Sequence, residues 1–222
     1  LEQRLWTARE AHPTWGARKL KAWLEARGQA DLPALSTITA VLRRGGYLAP
    51  EEGRKHRAFQ SFCHEEPNQL WQMDFKGPFS LEAGGHCHAL TVLDDHSRYL
   101  LALAACPNER TETVREVLIQ TFRGYGLPER MLMDNGSPWG DAADSPHTLL
   151  TTWLLRLGIR VTHGRPRHPQ TQGKDERLHR TLQAELLNHL EAADLPYCQR
   201  AFDRWRDSYN RERPPEALEL RP

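Results

Sequence analysis

The run LWQMDFKGPFSLEAGGHCHALTVLDDHSRYLLALAA, residues 70–105, decides the fold. Three apolar stretches within it, Leu70–Phe75, His86–Asp94 and Tyr99–Ala105, have the length and residue types of strands, and Gly84-Gly85 supplies a turn between the first two. Downstream the pattern changes. The spacing predicts a helix over Thr111–Tyr125, a short strand at Arg130–Met133, a helix over His147–Leu157, a strand at Ile159–Thr162 and a helix from about Gln172 to Leu190. Three antiparallel strands followed by alternating helices and strands imply an α/β fold, a mixed five-stranded sheet with helices on both faces.

Upstream, residues Trp15–Tyr47 read as two helices about a turn. The first ends at Gly28. Ser36 is the expected cap of the second, and Gly45-Gly46 its stop. This is a helix-turn-helix candidate, in which the second helix enters the major groove and its exposed side chains reach the bases. Thr37, Thr39, Arg43 and Arg44 are the residues so nominated, although a plain helical hairpin has the same pattern. Residues 49–67 lack any period and read as a linker, with Arg54, Lys55 and Arg57 placed to lie along DNA. The expected division is a DNA-binding segment at 1–48, a linker at 49–67 and a compact core with a helical tail at 68–222.

At 222 residues and 39% hydrophobic content the chain can bury a sizeable core. No apolar run reaches the length of about 20 residues that crosses a bilayer, so a membrane role is not expected. The four cysteines show no CxxC pair or framework spacing and read as reduced, buried thiols of a cytoplasmic protein. Net charge is +1, but it divides unevenly: +5 over residues 1–60, −7 over 61–150 and +3 over 151–222. Basic flanks around an acidic centre suit a protein that grips a polyanion and holds cations at its heart.

Three carboxylates stand out. Asp74 interrupts an apolar strand, where an unpaired charge is costly. Asp134 follows the strand Met131–Met133 and precedes Asn135-Gly136, small residues that let a ligand approach, though an Asp-Asn-Gly can also be a plain turn. Glu176 opens a helix after the His-, Pro-, Gln- and Gly-rich loop Gly164–Gly173, and shares a helical stripe with Arg180 and Gln183. Asp175 lies about 100° round the helix and is expected on the surface. Three converging acids are the donor set of a two-metal phosphoryl-transfer site. Asp94 and Asp95 could supply a fourth acid but read rather as a turn cluster bonded to Ser97 and Arg98, and Trp139 as a group that stacks on a base or simply packs. The spacings of Cys63-His64 and His86-Cys87-His88 fit no common zinc finger.

The segments WQMDF, VLDDHSRYL, DNGSPW and HGRPRHPQTQGKDERLHRTL, with YNRERPPEAL near the end, resemble the catalytic core of bacterial insertion-sequence transposases of the retroviral integrase superfamily. The resemblance spans residues 68–222, and residues 12–47 are similar to the helix-turn-helix that precedes such cores. It implies an RNase H-like fold and an Asp-Asp-Glu triad at Asp74, Asp134 and Glu176 that binds two Mg²⁺ ions, with Mn²⁺ substituting. Implied partners are double-stranded DNA, both inverted terminal repeats and target, and further copies of the chain assembled on it. His168, Lys174, Arg180 and Gln183 are the DNA contacts expected from the core. The 41 residues between Asp134 and Glu176 exceed the usual gap, with Gly140–Pro146 the surplus, and Pro215 and Glu219 depart from the usual closing motif. A start at Leu1 leads one to expect further helices upstream.

The implied activity is that of a polynucleotidyl transferase, cutting DNA at element ends and joining it to a target. Two alternatives remain at this point: a DNA-binding descendant without catalysis, and a metal-dependent nuclease without a joining step.

Overall fold

The computed structural model describes residues 1–48, 64–140, 148–164 and 173–212. Its centre is a five-stranded mixed sheet of β1 (Trp71–Ser80), β2 (His86–Asp94), β3 (Leu100–Cys106), β4 (Arg130–Met133) and β5 (Arg160–His163), in the order β3-β2-β1-β4-β5. β1, β2 and β3 form an antiparallel meander, whereas β4 lies parallel to β1 and β5 parallel to β4. The change from antiparallel to parallel pairing falls on β1. Helices α4 (Thr111–Tyr125) and α5 (Leu149–Arg156) cover one face, and α6 (Gly173–Glu185) and α7 (Leu195–Arg211) the other.

Strand alternation sorts the side chains between these layers. Trp71 and Met73 of β1 pack with Leu90, Val92, Met131 and Met133 against Val114, Leu118, Leu150 and Leu154. Each such buried side chain contributes on the order of 1.5–3 kcal/mol relative to exposure. Gln72, Asp74 and Lys76 take the alternate positions, towards α6. There Ala89, Leu93, Leu100 and Leu103 meet Leu178 and Leu182 of α6 and Cys198 and Phe202 of α7. Cys87, Cys106 and Cys198 are free and buried, as the sequence implies.

Several boundaries differ from expectation. β1 runs on to Ser80 because an irregularity between Lys76 and Phe79, at Gly77-Pro78, lets pairing with β2 resume. α6 stops at Glu185 and gives way to a 3₁₀ turn at Leu187–His189. α7, anticipated only as a helical tail, is a full amphipathic helix opened by Asp194, whose carboxylate accepts a 2.7 Å bond from the Tyr197 N–H.

The N-terminal segment holds three helices: α1 (Glu2–Ala11), which sequence reading missed, α2 (Ala17–Ala26) and α3 (Leu35–Arg44). They share a core of Leu5, Trp15, Leu20, Ile38 and Leu42. Ser36 is not the cap of α3. The helix starts at Leu35 with Ala34 as N-cap and no capping side chain.

Candidate active site

Asp74 and Asp134 come together through strand pairing. The parallel register matches Trp71 with Met131 and Gln72 with Leu132, and two residues further it brings Asp74 level with Asp134, just beyond the end of β4. The Asp134 carboxylate accepts a 2.9 Å bond from the Gly136 N–H. The turn that carries it is anchored: Trp139 is 2% exposed and stacks on Phe75 at 5.4 Å, so it packs in the core and is not available to a base. Gly140 is required there, since a Cβ at that position would lie 2.3 Å from the Asn135 carbonyl oxygen. On the other side the His163 Nδ1–H donates to the Asp134 carbonyl at 2.8 Å, and the Asn135 amide donates to the Gly164 carbonyl at 2.7 Å.

Burial, and then the neighbouring Asp134 charge, push the Asp74 carboxyl up to about 7. The two carboxylates form a half-buried acid pair. Above it sits His179 of α6. Thr91, which is opposite Asp74 on β2, donates its hydroxyl proton to the Asp74 carbonyl at 3.0 Å. It accordingly accepts from the Nε2–H of His179 at 2.9 Å. That assigns the Nε2–H tautomer and leaves Nδ1 facing the Asp74 carboxylate at 3.8 Å. Burial, then the charge of Lys76, lower the imidazole to about 4, so the ring is neutral near pH 7 and this contact is no ion pair. The sequence reading did not nominate His179 for the site. Its phase, one turn after Glu176, was the available signal.

Glu176 itself is exposed. Among the described residues no three His, Cys, Asp or Glu side chains lie close enough together to hold a metal ion, so Glu176 does not join the two aspartates in this structure. Asp175, expected on the surface, is instead 1% exposed, and neither carboxylate oxygen has a hydrogen-bond partner among the described residues. Burial, then the charges of Asp74 and Asp95, raise its pKa well above the ordinary value. Asp175, Leu178 and Leu182 share the spacing of one buried stripe, which overrides the expectation based on Glu176 alone.

A second acid cluster closes the site from β2. Asp94 Oδ2 accepts from the Ser97 N–H at 2.8 Å and its hydroxyl at 2.7 Å, as the turn reading requires. Asp95 does more. It accepts from the His64 N–H at 2.9 Å and the Gln72 amide at 2.6 Å, lies 3.7 Å from Arg98, and pairs with the ammonium of Lys174. Burial alone would raise its pKa, but the Lys174 and His64 hydrogen bonds and the nearby cations outweigh it and hold the carboxyl low.

The expected DNA contacts are dispersed. Thr37 and Arg43 are exposed on α3, the Thr39 hydroxyl donates to the Leu35 carbonyl at 2.7 Å, and Arg44 pairs with Glu2 at 2.5 Å. Arg180 is exposed and donates to the Glu176 carbonyl at 3.4 Å. The Gln183 amide bonds Asn188 at 2.8 Å and, with Lys76 and Phe79, borders a groove of about 370 Å³ between the second half of β1 and the turn after α6. Arg54, Lys55, Arg57 and His168 lie outside the described residues.

Comparison with known proteins supplies the family. Two Integrase core domain families match, one over residues 64–169 and the other over 157–222, jointly from the segment before β1 to the end of the chain. The chain belongs to the integrase core family. It is 24% identical over 209 residues to the "Insertion element IS407 uncharacterized 31.7 kDa protein" of Burkholderia multivorans, which covers 92% of this chain and 72% of that protein. It is also 30% identical over 132 residues to the Gag-Pro-Pol polyprotein of mouse mammary tumor virus, over 60% of this chain. That match takes in only 7% of the polyprotein's length. Among solved structures, the HTLV-2 integrase catalytic core domain in complex with magnesium, trimeric form, matches with a TM-score of 0.52 at 16% identity, covering 69% of this chain and 96% of that one. That likeness bears on the fold, an RNase H-like mixed sheet flanked by helices, as expected.

Proposed function

We propose that this integrase-core protein is an insertion-sequence transposase that cuts DNA at the ends of its element and joins them to a target, with Asp74, Asp134 and Glu176 as the metal-holding acids. The observation that carries the reading is the level placement of Asp74 and Asp134 on neighbouring parallel strands, two carboxylates whose mutual repulsion is relieved by divalent cations.

The residues fit such ions. A raised Asp74, a half-buried Asp134 carboxylate accepting one described bond, and an exposed Glu176 on the helix packed over β1 form an oxygen-rich donor set suited to Mg²⁺ or Mn²⁺. When bound, a pair of such ions polarises the phosphate and neutralises charge on the attacking and leaving oxygens. The chain's own contribution is positioning. The sheet fixes the two aspartates, Thr91 and neutral His179 orient the Asp74 side, and Arg180 on the exposed face of α6 meets a DNA phosphate. Exposed Thr37 and Arg43 of α3 belong to the proposed DNA-reading segment. Further copies of the chain assemble on the two ends.

The test is incubation of the purified protein with end-containing duplex and Mg²⁺ or Mn²⁺, followed by transfer into a plasmid. Metal-dependent nicking at the element end with products joined to plasmid supports the proposal. Nicking without joining would make it a nuclease, and binding without nicking a non-catalytic DNA-binding protein.

A further inference from the structure

Glu176 stands in the first turn of α6, and a residue of the same turn reaches the central sheet through a charged contact. Lys174, two residues earlier, sets its ammonium against the Asp95 carboxylate at the end of β2, both side chains being largely withdrawn from water. Asp95 is itself held by the Gln72 amide at 2.6 Å and the His64 N–H at 2.9 Å. Gln72 precedes Asp74 by two residues and shares its face of β1. A continuous frame thus runs from Glu176 through Lys174, Asp95 and Gln72 to the strand that carries Asp74. Asp175 turns inward within the same turn at 1% exposure, so the first turn of α6 is tied to the sheet on the side opposite its exposed glutamate.

Resting on the transposase reading, we infer that Lys174 and Asp95 are positioning residues that set the first turn of α6, and so the placement of Glu176 relative to Asp74. This differs from the role the sequence assigns to Lys174, a contact with DNA. A side chain planted on a buried carboxylate is turned away from a phosphate. A residue that orients a metal ligand, when removed, typically costs about 10–100-fold in metal affinity or activity. A residue that only touches phosphate instead changes the salt dependence of DNA binding.

The experiment compares Lys174→Met, Lys174→Arg and Asp95→Asn in the full chain. Mn²⁺ binding is followed by electron paramagnetic resonance, amide exchange over residues 173–178 without metal, and DNA affinity against salt. Lys174→Met and Asp95→Asn should each weaken Mn²⁺ binding about tenfold or more and speed exchange in the first turn of α6. The slope of log affinity against log salt should stay unchanged. Lys174→Arg, which keeps the pair, should remain near the wild type. Should a single variant fail to fold, the double variant Lys174→Met/Asp95→Asn removes both charges together, and it should fold yet keep the Mn²⁺ defect. Wild-type Mn²⁺ affinity in Lys174→Met or, if that variant does not fold, in the double variant overturns the inference, all the more so if the salt slope falls by about one unit. Absence of cleavage by the wild type would sink the transposase reading separately, leaving the metal-binding and exchange results to decide the frame.

Discussion

The Thr91 hydroxyl, which donates to the Asp74 carbonyl at 3.0 Å, also receives the His179 Nε2–H at 2.9 Å, and so one hydroxyl fixes both the strand and the ring that faces it. Replacing Thr91 with Val keeps the shape and removes both bonds. The His179 ring then loses the partner that sets its tautomer, and its one-bond ¹⁵N shifts should change from a single Nε2–H pattern to a tautomer mixture. Persistence of the single pattern would mean that another group holds the ring.

Asp134→Asn removes the charge and keeps the shape of the carboxylate. Cleavage should fall to a few per cent or less of the wild type while DNA affinity stays near it, because binding draws on basic residues elsewhere. The same change removes a charge that raises Asp74, so the Asp74 carboxyl should titrate below about 7. Carboxyl-carbon NMR of the metal-free protein reads this directly, and an unmoved Asp74 would place the two acids too far apart to share a site.

Two opposed pH effects meet at Asp74 and His179. A carboxyl raised from 3.8 to about 7 favours the folded state fully only below its unfolded pKa, and that stability is lost as pH rises through about 7. An imidazole lowered from 6.5 to about 4 acts the other way, its stability being present above 6.5 and lost as pH falls through about 4. Without divalent ions, Asp74→Asn should therefore melt several degrees higher than the wild type at pH 8 and close to it at pH 3.5, at about 2–4 °C per kcal/mol for a chain of this size. His179→Gln should flatten the loss of melting temperature between pH 6.5 and pH 4. Equal shifts at all pH values in either variant would remove that residue from this linkage.

Arg180→Ala should leave α6 intact, since Ala is the best helix former. It should lower the log–log salt slope of DNA binding by about one unit, as for one lost phosphate contact. Fluorescence anisotropy at several salt concentrations measures it. An unchanged slope would mean that the exposed face of α6 looks away from DNA.

Gly140→Ala places a methyl group 2.3 Å from the Asn135 carbonyl oxygen, a backbone atom that has little room to retreat. The turn holding Asp134 must then shift, with a cost of about 1–3 kcal/mol expected of such overpacking. Denaturant unfolding gives the cost. A variant as stable as the wild type would show the turn to be looser than it looks.

Local patterns made most of the core legible. β2, α4 and β4 fall on the predicted residues, because alternation, helical period and turn glycines all act within a few positions. The level placement of Asp74 and Asp134 could be anticipated as neighbouring strand ends, but its register could not, since it depends on pairing across sixty positions of chain. Lys174 is the clearest loss. Its partner Asp95 is 79 residues away, and no spacing rule links a helix lysine to a turn aspartate at that distance. Asp175 failed for a different reason: the buried stripe it shares with Leu178 and Leu182 was readable, but its place was judged only from its angle to Glu176.

The aspartates ride on hydrogen-bonded strands, whereas among the described residues the helix bearing Glu176 meets the sheet through side chains such as Leu178, Leu182 and Lys174. Elements held in this way can open as separate cooperative units below the free energy of global unfolding. Heat should therefore silence the protein before it melts it. Loss of chemistry should come first and reverse on cooling, while the sheet's amide protons remain protected, and divalent cations should narrow the interval between inactivation and melting.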